Sequence, residues 1–202
     1  MNNPVYHIIE NFFKEDELQL ILKELEFLNS KLLGPAETSA SESDTGRYNK
    51  QAKGIFLDHI YANRNISDIL KLNRKIFEFD FINSLIQKDI VYRNLLGCNH
   101  DMTLINYYEN NDYYDKHSDA AVLSCISFFY KEPKKFTGGD FIFNDFNIKI
   151  PIKNNMLIIF PSYYEHQATP VKMKEKDIDK GLGRYSMVQF LNFKVNNQGT
   201  FR

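Results

Sequence analysis

The order of periodicities along this chain predicts an α+β fold in which amino-terminal helices brace one face of an antiparallel β-sandwich or jelly roll. Three observations carry that prediction. In the first half of the chain apolar residues recur at helical spacing, as in Leu18, Ile21, Leu22, Leu25 and Leu28. From Met102 onward they fall instead into short runs rich in β-branched and aromatic residues, separated by turn-forming Asn, Asp and Pro. No internal repeat or linker divides the sequence, so residues 1–202 read as one domain, with helical support and a loop over 1–100 and a jelly-roll core over 101–195.

Taken in order, Pro4 to Ile9 is a short apolar run that predicts a strand. Lys14 to Leu28 predicts a packing helix, with Glu15, Asp16 and Glu17 near the positive end of its dipole. Leu33 to Lys53 carries Gly, Pro, Ser, Thr and acidic residues with hardly an apolar one, which predicts a long loop. Loops of this length in compact domains are often lids or binding loops, and otherwise mobile surface insertions; Arg47 and Tyr48 are its candidate substrate contacts. A short strand is expected over Ile55–Tyr61, then helices over Ile66–Phe77, starting at Ser67 or Asp68, and Ile82–Asp89. Strands are expected over Met102–Tyr108, Cys125–Tyr130, Phe141–Phe143, Ile148–Ile152, Met156–Phe160 and Tyr185–Phe193.

Composition narrows the function. A hydrophobic share of 43%, with 17 Phe and 12 Tyr, supplies a sizeable core. The 25 basic and 26 acidic residues balance to a net charge of −1, which argues against a nucleic-acid backbone or an anionic membrane as partner. The opening Met1–His7 lacks the basic-then-apolar layout of a signal peptide, and no apolar run approaches the roughly 20 residues needed to cross a bilayer. Cys98 and Cys125 are too few for a disulfide framework, so they read as reduced thiols of a cytoplasmic protein.

The chemistry centres on Tyr113-Tyr114-Asp115-Lys116-His117-Ser118-Asp119. On a strand or its end, side chains alternate between faces, so His117 and Asp119 point the same way and can reach one metal. A second imidazole, His166, follows the apolar run Met156–Phe160, and Arg184 opens the last strand. Two imidazoles and one carboxylate form the set that holds non-haem Fe(II) on one face and leaves the other open for a co-substrate and dioxygen. Gly138-Gly139 lies between the ligand segments, where paired glycines permit a tight turn or a close backbone approach.

These pieces together resemble a known family. Tyr107, ten positions before His117; His117-Ser118-Asp119; Phe136-Thr137-Gly138-Gly139-Asp140-Phe141-Ile142-Phe143; His166 with Pro170-Val171; and Gly183-Arg184-Tyr185-Ser186 match in sequence order. Thr103 to Phe193 is thereby similar to the cupin-like double-stranded β-helix core of Fe(II) and 2-oxoglutarate dependent oxygenases, in their prolyl 4-hydroxylase-like branch. Val5 to Phe13 resembles the amino-terminal strand and helix entry of that branch, while Leu33 to Leu96 matches only loosely.

The resemblance implies that His117, Asp119 and His166 ligate Fe(II). It implies that Arg184 grips the distal carboxylate of 2-oxoglutarate, with hydroxyl hydrogen bonds from Tyr107 and Ser186. It also implies dioxygen as co-substrate, succinate and carbon dioxide as products of a C–H hydroxylation, and ascorbate as a further cofactor. The interval from His166 to Arg184 is longer than is usual in the family, so the charged stretch 172–182 is expected to form an enlarged hairpin loop, with Lys172 or Lys174 as the alternative anchor. Tyr114 and Tyr164 are expected at the substrate mouth, and Glu165, Asp115 and Asp140 are candidates for steering an imidazole. The substrate is expected to be a prolyl residue in a protein or peptide, or else a free amino acid or other small molecule, handled by a monomer or homodimer. Halogenation is disfavoured because Asp119 is present, and nucleic-acid demethylation because the basic surface is missing. A non-catalytic jelly-roll binding module is the alternative outside enzymology.

Overall fold

The computed structural model describes residues 4–38, 40–42 and 46–194. Parts of three sequence expectations lie outside them: Met1–Asn3 of the amino terminus, positions 39 and 43–45 of the long loop, and position 195 of the core. All the α-helices among the described residues precede residue 100. Strand β1 (His7–Ile9) leads into α1 (Glu15–Asn29), whose buried Leu18, Ile21, Leu25 and Leu28 form the expected stripe. The backbone N–H of Lys14 donates to the Glu17 carboxylate at 2.7 Å, which closes the amino end of the helix.

The segment 66–77 is not one helix. It breaks into a 3-10 turn (Arg64–Ile66), α3 (Asp68–Leu72) and a second 3-10 stretch (Asn73–Phe77). The expected start signal is nevertheless right: Ser67 Oγ accepts the N–H of Leu70, and Glu24 of α1 accepts both Ser67 Oγ–H and the N–H of Ile69. Helix α4 (Phe79–Ile86) begins three residues before the expected helix, and a 3-10 segment at Ile90–Leu96 had no counterpart in the sequence reading. The expected strand at 55–61 is shifted: β2 spans Lys53–Phe56 and turns directly into the short α2 (Leu57–Ile60).

From residue 100 the chain is β. The strands are β3 (His100–Tyr108), β4 (Tyr114–His117), β5 (Leu123–Phe129), β6 (Phe136–Gly138), β7 (Phe141–Phe143), β8 (Ile148–Ile150), β9 (Met156–Pro161), β10 (His166–Ala168), β11 (Val171–Met173) and β12 (Arg184–Asn192). Among the described residues they form a six-stranded sheet ordered β1-β9-β5-β12-β3-β2, a four-stranded sheet ordered β4-β10-β7-β8 and the pair β11-β6, all antiparallel. This is the expected jelly roll with helices on one face. The expected loop at 172–182 begins two residues late, because Lys172 and Met173 still pair with Thr137 and Phe136.

The six-stranded sheet is buried on both faces, so its strands read as continuous apolar runs. Ile105, Tyr107, Cys125, Phe129, Leu157, Ile159, Tyr185 and Met187 face the helices and pack against α1, α3 and α4. Their neighbours Leu104, Tyr108, Ile126, Phe128, Ile158, Phe160 and Val188 face the four-stranded sheet, packing with Phe141, Phe143 and Ala168. No helix among the described residues is long and apolar enough to cross a membrane.

Candidate active site

Short strands of the smaller sheet bring the three ligand candidates together. His117 ends β4 and pairs directly with His166 at the start of β10. Asp119 follows on a turn whose backbone N–H donates to the carbonyl of Ser162 at 2.9 Å. His117 Nε2 lies 3.7 Å from Asp119 Oδ1, and His166 Nε2 lies 3.7 Å from Asp119 Oδ2. One ligand atom from each residue falls within 4.8 Å of the others, so a single cation can be reached by all three.

The imidazoles are held in the tautomer a metal requires. His117 Nδ1–H donates to the carbonyl of Asp115, and His166 Nδ1–H to the carbonyl of Tyr164, each at 2.8 Å. That leaves each Nε2 lone pair facing the shared point. Burial pushes both imidazoles down to about 4, the nearby His166 also lowering His117, so both are neutral and competent to donate at neutral pH. Burial raises the Asp119 carboxyl, opposed by Ser124 Oγ–H, which donates to Oδ2 at 2.6 Å.

Backbone carbonyls, not carboxylates, therefore steer both rings. The expected steering groups are engaged elsewhere: Asp115 pairs with Arg47, Asp140 with Lys149 and Glu165 with Lys116. Ser124 was missed by the sequence reading, although its signal is visible as a polar residue inside the apolar run Leu123–Phe129.

The triad opens into a cavity of about 390 Å³ between the two sheets. Along β12, Arg184, Ser186, Val188 and Phe190 all face it, as alternation requires. Arg184 is only 1% exposed, and no ion pair among the described residues includes it. One of its amino groups donates to the carbonyl of Gly139 at 2.8 Å, its guanidinium lies 3.9 Å from the Tyr108 ring centre, and its Nε has no partner. A buried cation with an unspent donor fits an incoming carboxylate, because leaving it unpaired is costly. Gly139 makes room for it: at φ +68°, a Cβ there would sit 3.3 Å from Arg184 Cδ and 2.9 Å from a Val171 methyl. Lys172, the alternative anchor, is exposed and bonds Asn111.

Tyr107 requires a correction. It lies on the helix-facing side of β3, its hydroxyl donating to Glu109 at 3.0 Å and accepting the N–H of Gly183 at 3.1 Å. Tyr108 is the tyrosine on the cavity face, opposite Arg184 in the β3–β12 register. The physical reason is the two-residue period of a strand, in which a shift of one position exchanges the faces. Tyr114 does line the cavity, stacked on His117 with ring centres 3.6 Å apart. Tyr164 is instead packed against Phe143 and Phe146, with its hydroxyl accepting the N–H of Val5.

The long loop is tied to this site. Residues Lys50 and Tyr114 form a bridge, the N–H of Asp115 donates to Asn49 O at 2.7 Å, and Ser41 and Asn49 contribute to the cavity wall. Arg47 pairs with Asp115 and Tyr113.

Comparison with known proteins agrees with this geometry. Residues 102–192 match the sequence model of the 2OG-Fe(II) oxygenase superfamily. The PKHD-type hydroxylase YbiX of Escherichia coli strain 55989 is 27% identical over 107 residues, covering 46% of this chain. The chain spans 47% of that relative's length. A Pseudomonas putida prolyl-4-hydroxylase superposes with a TM-score of 0.59 at 12% identity, covering 94% of this chain and 93% of its own. A Trichoplax adhaerens prolyl hydroxylase, solved with a hypoxia inducible factor peptide fragment, superposes at 0.58 and 12% identity, covering 93% of this chain and 83% of its own. The viral collagen prolyl hydroxylase of Paramecium Bursaria Chlorella virus-1 superposes at 0.55 and 15% identity, over 94% of this chain and 96% of its own. The ligand triad lies inside the segment that is similar to the 2OG-Fe(II) oxygenase superfamily, and the jelly roll that carries it is the fold of these prolyl hydroxylases.

Proposed function

We propose that this chain is a hydroxylase that uses Fe(II), 2-oxoglutarate and dioxygen to oxidise an unactivated C–H bond, with a prolyl residue of a peptide or protein as substrate. One observation carries the reading: three neutral or anionic donors share a point within 4.8 Å, in the same cavity as a buried guanidinium that lacks a carboxylate. His117, Asp119 and His166 would hold the metal, and Arg184 would hold the distal carboxylate of the co-substrate through a planar, two-pronged contact. Ser186, on the same strand face, and Tyr108 are the hydroxyls placed to assist. Bound Fe(II) with 2-oxoglutarate and dioxygen supplies oxidative decarboxylation to succinate and carbon dioxide, coupled to insertion of one oxygen atom into the substrate.

The protein's own part is to position and to exclude water. Backbone carbonyls fix the two imidazoles, Ser124 fixes the carboxylate, and the aromatic walls Phe128, Phe141 and Tyr114 keep the site apolar. Charge favours a peptidyl substrate over a free amino acid. Among the described lining residues, Arg184 is the only basic side chain and Asp119 the only acidic one, and both already have roles. No pair of charges is left for an α-ammonium and an α-carboxylate, which a peptide lacks at an internal residue.

Anaerobic addition of Fe(II) and 2-oxoglutarate should produce the visible metal-to-ligand charge-transfer band; a folded chain without it is a binding module. Mass spectrometry after aerobic turnover with ascorbate, on a peptide panel and an amino-acid panel, should show oxygen addition to prolyl peptides. Oxidation of free metabolites alone would overturn the substrate assignment.

A further inference from the structure

Lys50 is the one fully buried lysine among the described residues, and the ligand triad and Arg184 give it no role. It comes from the polar stretch 33–53, where a lysine is expected in solvent. Its ammonium has no acidic partner among the described residues. Instead it donates to the carbonyl of Thr38 and to Asn106 Oδ1, the latter at 3.2 Å, and lies 5.6 Å from the Tyr114 ring centre.

Asn106 is 2% exposed, lies on the cavity wall and pairs with Ser186 across the β3–β12 ladder. Lys50 Nζ donates to Asn106 Oδ1, so the amide presents its oxygen to Lys50 and turns its nitrogen away. The other end of that amide, two N–H donors, is thereby fixed on the cavity side, and no described residue accepts from it. Gly54 packs behind the same oxygen, where a Cβ would come within 2.9 Å. Turning the amide over would set its N–H donors against the N–H donors of Lys50.

We infer that Lys50 is a positioning residue: it locks Asn106 with its N–H donors aimed at an acceptor of the bound co-substrate beside Ser186, and it ties the 33–53 segment to that wall. The inference rests on the oxygenase reading for the identity of the ligand, and on contacts within the chain for the tether.

Two readouts test it. The first is 2-oxoglutarate affinity, titrated anaerobically into Fe(II)-loaded protein and read by visible absorption. Lys50→Met should weaken it about tenfold, in the range that removal of a group supporting a ligand-contacting side chain produces. In an Asn106→Ala background Lys50→Met should add little, since the residue it acts through is gone. Asn106→Asp keeps an acceptor for Lys50 but presents no donor, so it should fold and bind about tenfold more weakly or worse. Binding by folded Lys50→Met within about twofold of wild type, or losses that multiply in the double variant, would overturn the inference. If Lys50→Met does not fold, unchanged affinity in Asn106→Asp overturns it in the same way. The second readout is amide hydrogen exchange over 46–53 in the metal-free chain, which Lys50→Met should speed and which, unchanged, refutes the tether. A wild-type chain that binds no 2-oxoglutarate refutes the oxygenase reading instead, and the exchange experiment then decides the tether alone.

Discussion

The two faces of the six-stranded sheet are made by the same strands and serve opposite ends. On β12, Tyr185, Met187 and Leu191 enter a dry core against the helices, whereas Arg184, Ser186 and Val188, one residue out of step, face the cavity. The helix face holds apolar contacts and satisfied hydroxyls; Tyr185, for instance, donates to Asn29 at 3.0 Å. The cavity face keeps a buried guanidinium without an anion, and across the cavity the smaller sheet and the turn after β4 hold His117, His166 and Asp119. Stability is concentrated on one side of a single layer, and binding capacity on the other.

That division can be broken by substitution. The largest effect on function belongs to His117→Ala, Asp119→Ala or His166→Ala: 2-oxoglutarate turnover, followed as succinate release, should fall below detection while the thermal midpoint moves by only a few degrees. Arg184→Met comes next. Co-substrate affinity should fall by about a hundredfold, the equivalent of losing a pair of charge-assisted hydrogen bonds. Denaturant midpoints should hold or rise, because an unpaired buried charge has been exchanged for an apolar side chain of similar length. The opposite face behaves in the opposite way: Ile159→Ala or Leu25→Ala should cost about 2–5 kcal/mol of stability, with co-substrate affinity per folded molecule unchanged.

Acid sharpens the comparison further. His117 and His166 lie at about 4 when folded, against 6.5 for an exposed imidazole. Between those values the unfolded chain takes up protons that the folded chain refuses, so stability of the metal-free protein is present above pH 6.5 and is lost as pH falls toward 4. Replacing both histidines should flatten the urea midpoint across that window. The smallest test separates adjacent tyrosines: Tyr107→Phe should cost about 1 kcal/mol of stability and leave affinity alone, whereas Tyr108→Phe should weaken co-substrate binding by about three- to tenfold.

Much of the site was legible because its information is local. His117 and Asp119 stand at i and i+2, His166 follows an apolar run, and Arg184 starts one, so residue type and spacing suffice. The helix α1 was legible for the same reason. What failed depends on distant partners. The face to which Tyr107 or Tyr108 points is set by pairing with β12, far along the chain. Strands β4, β6, β10 and β11 have three or four residues each and owe their existence to neighbours rather than to β-propensity. The helix expected at 66–77 carries an apolar pattern, yet its contacts with α1 and β3 bend it into 3-10 turns on either side of α3. Lys50 could not be found at all, since a lysine among Ser, Asn and Gly gives no sign that it will be enclosed.

The position of β12 bears on how the molecule is made. Among the described residues it is the last strand in sequence, yet it lies between β5 and β3 in the middle of the larger sheet. Until residues 184–192 emerge from the ribosome, β3 and β5 each present a bare hydrogen-bonding edge to their surroundings, while the segments bearing His117, Asp119 and His166 have already been made. Nascent chains halted before this point should therefore cling to one another and to chaperones, and Arg184 arrives in the same event that seals the sheet.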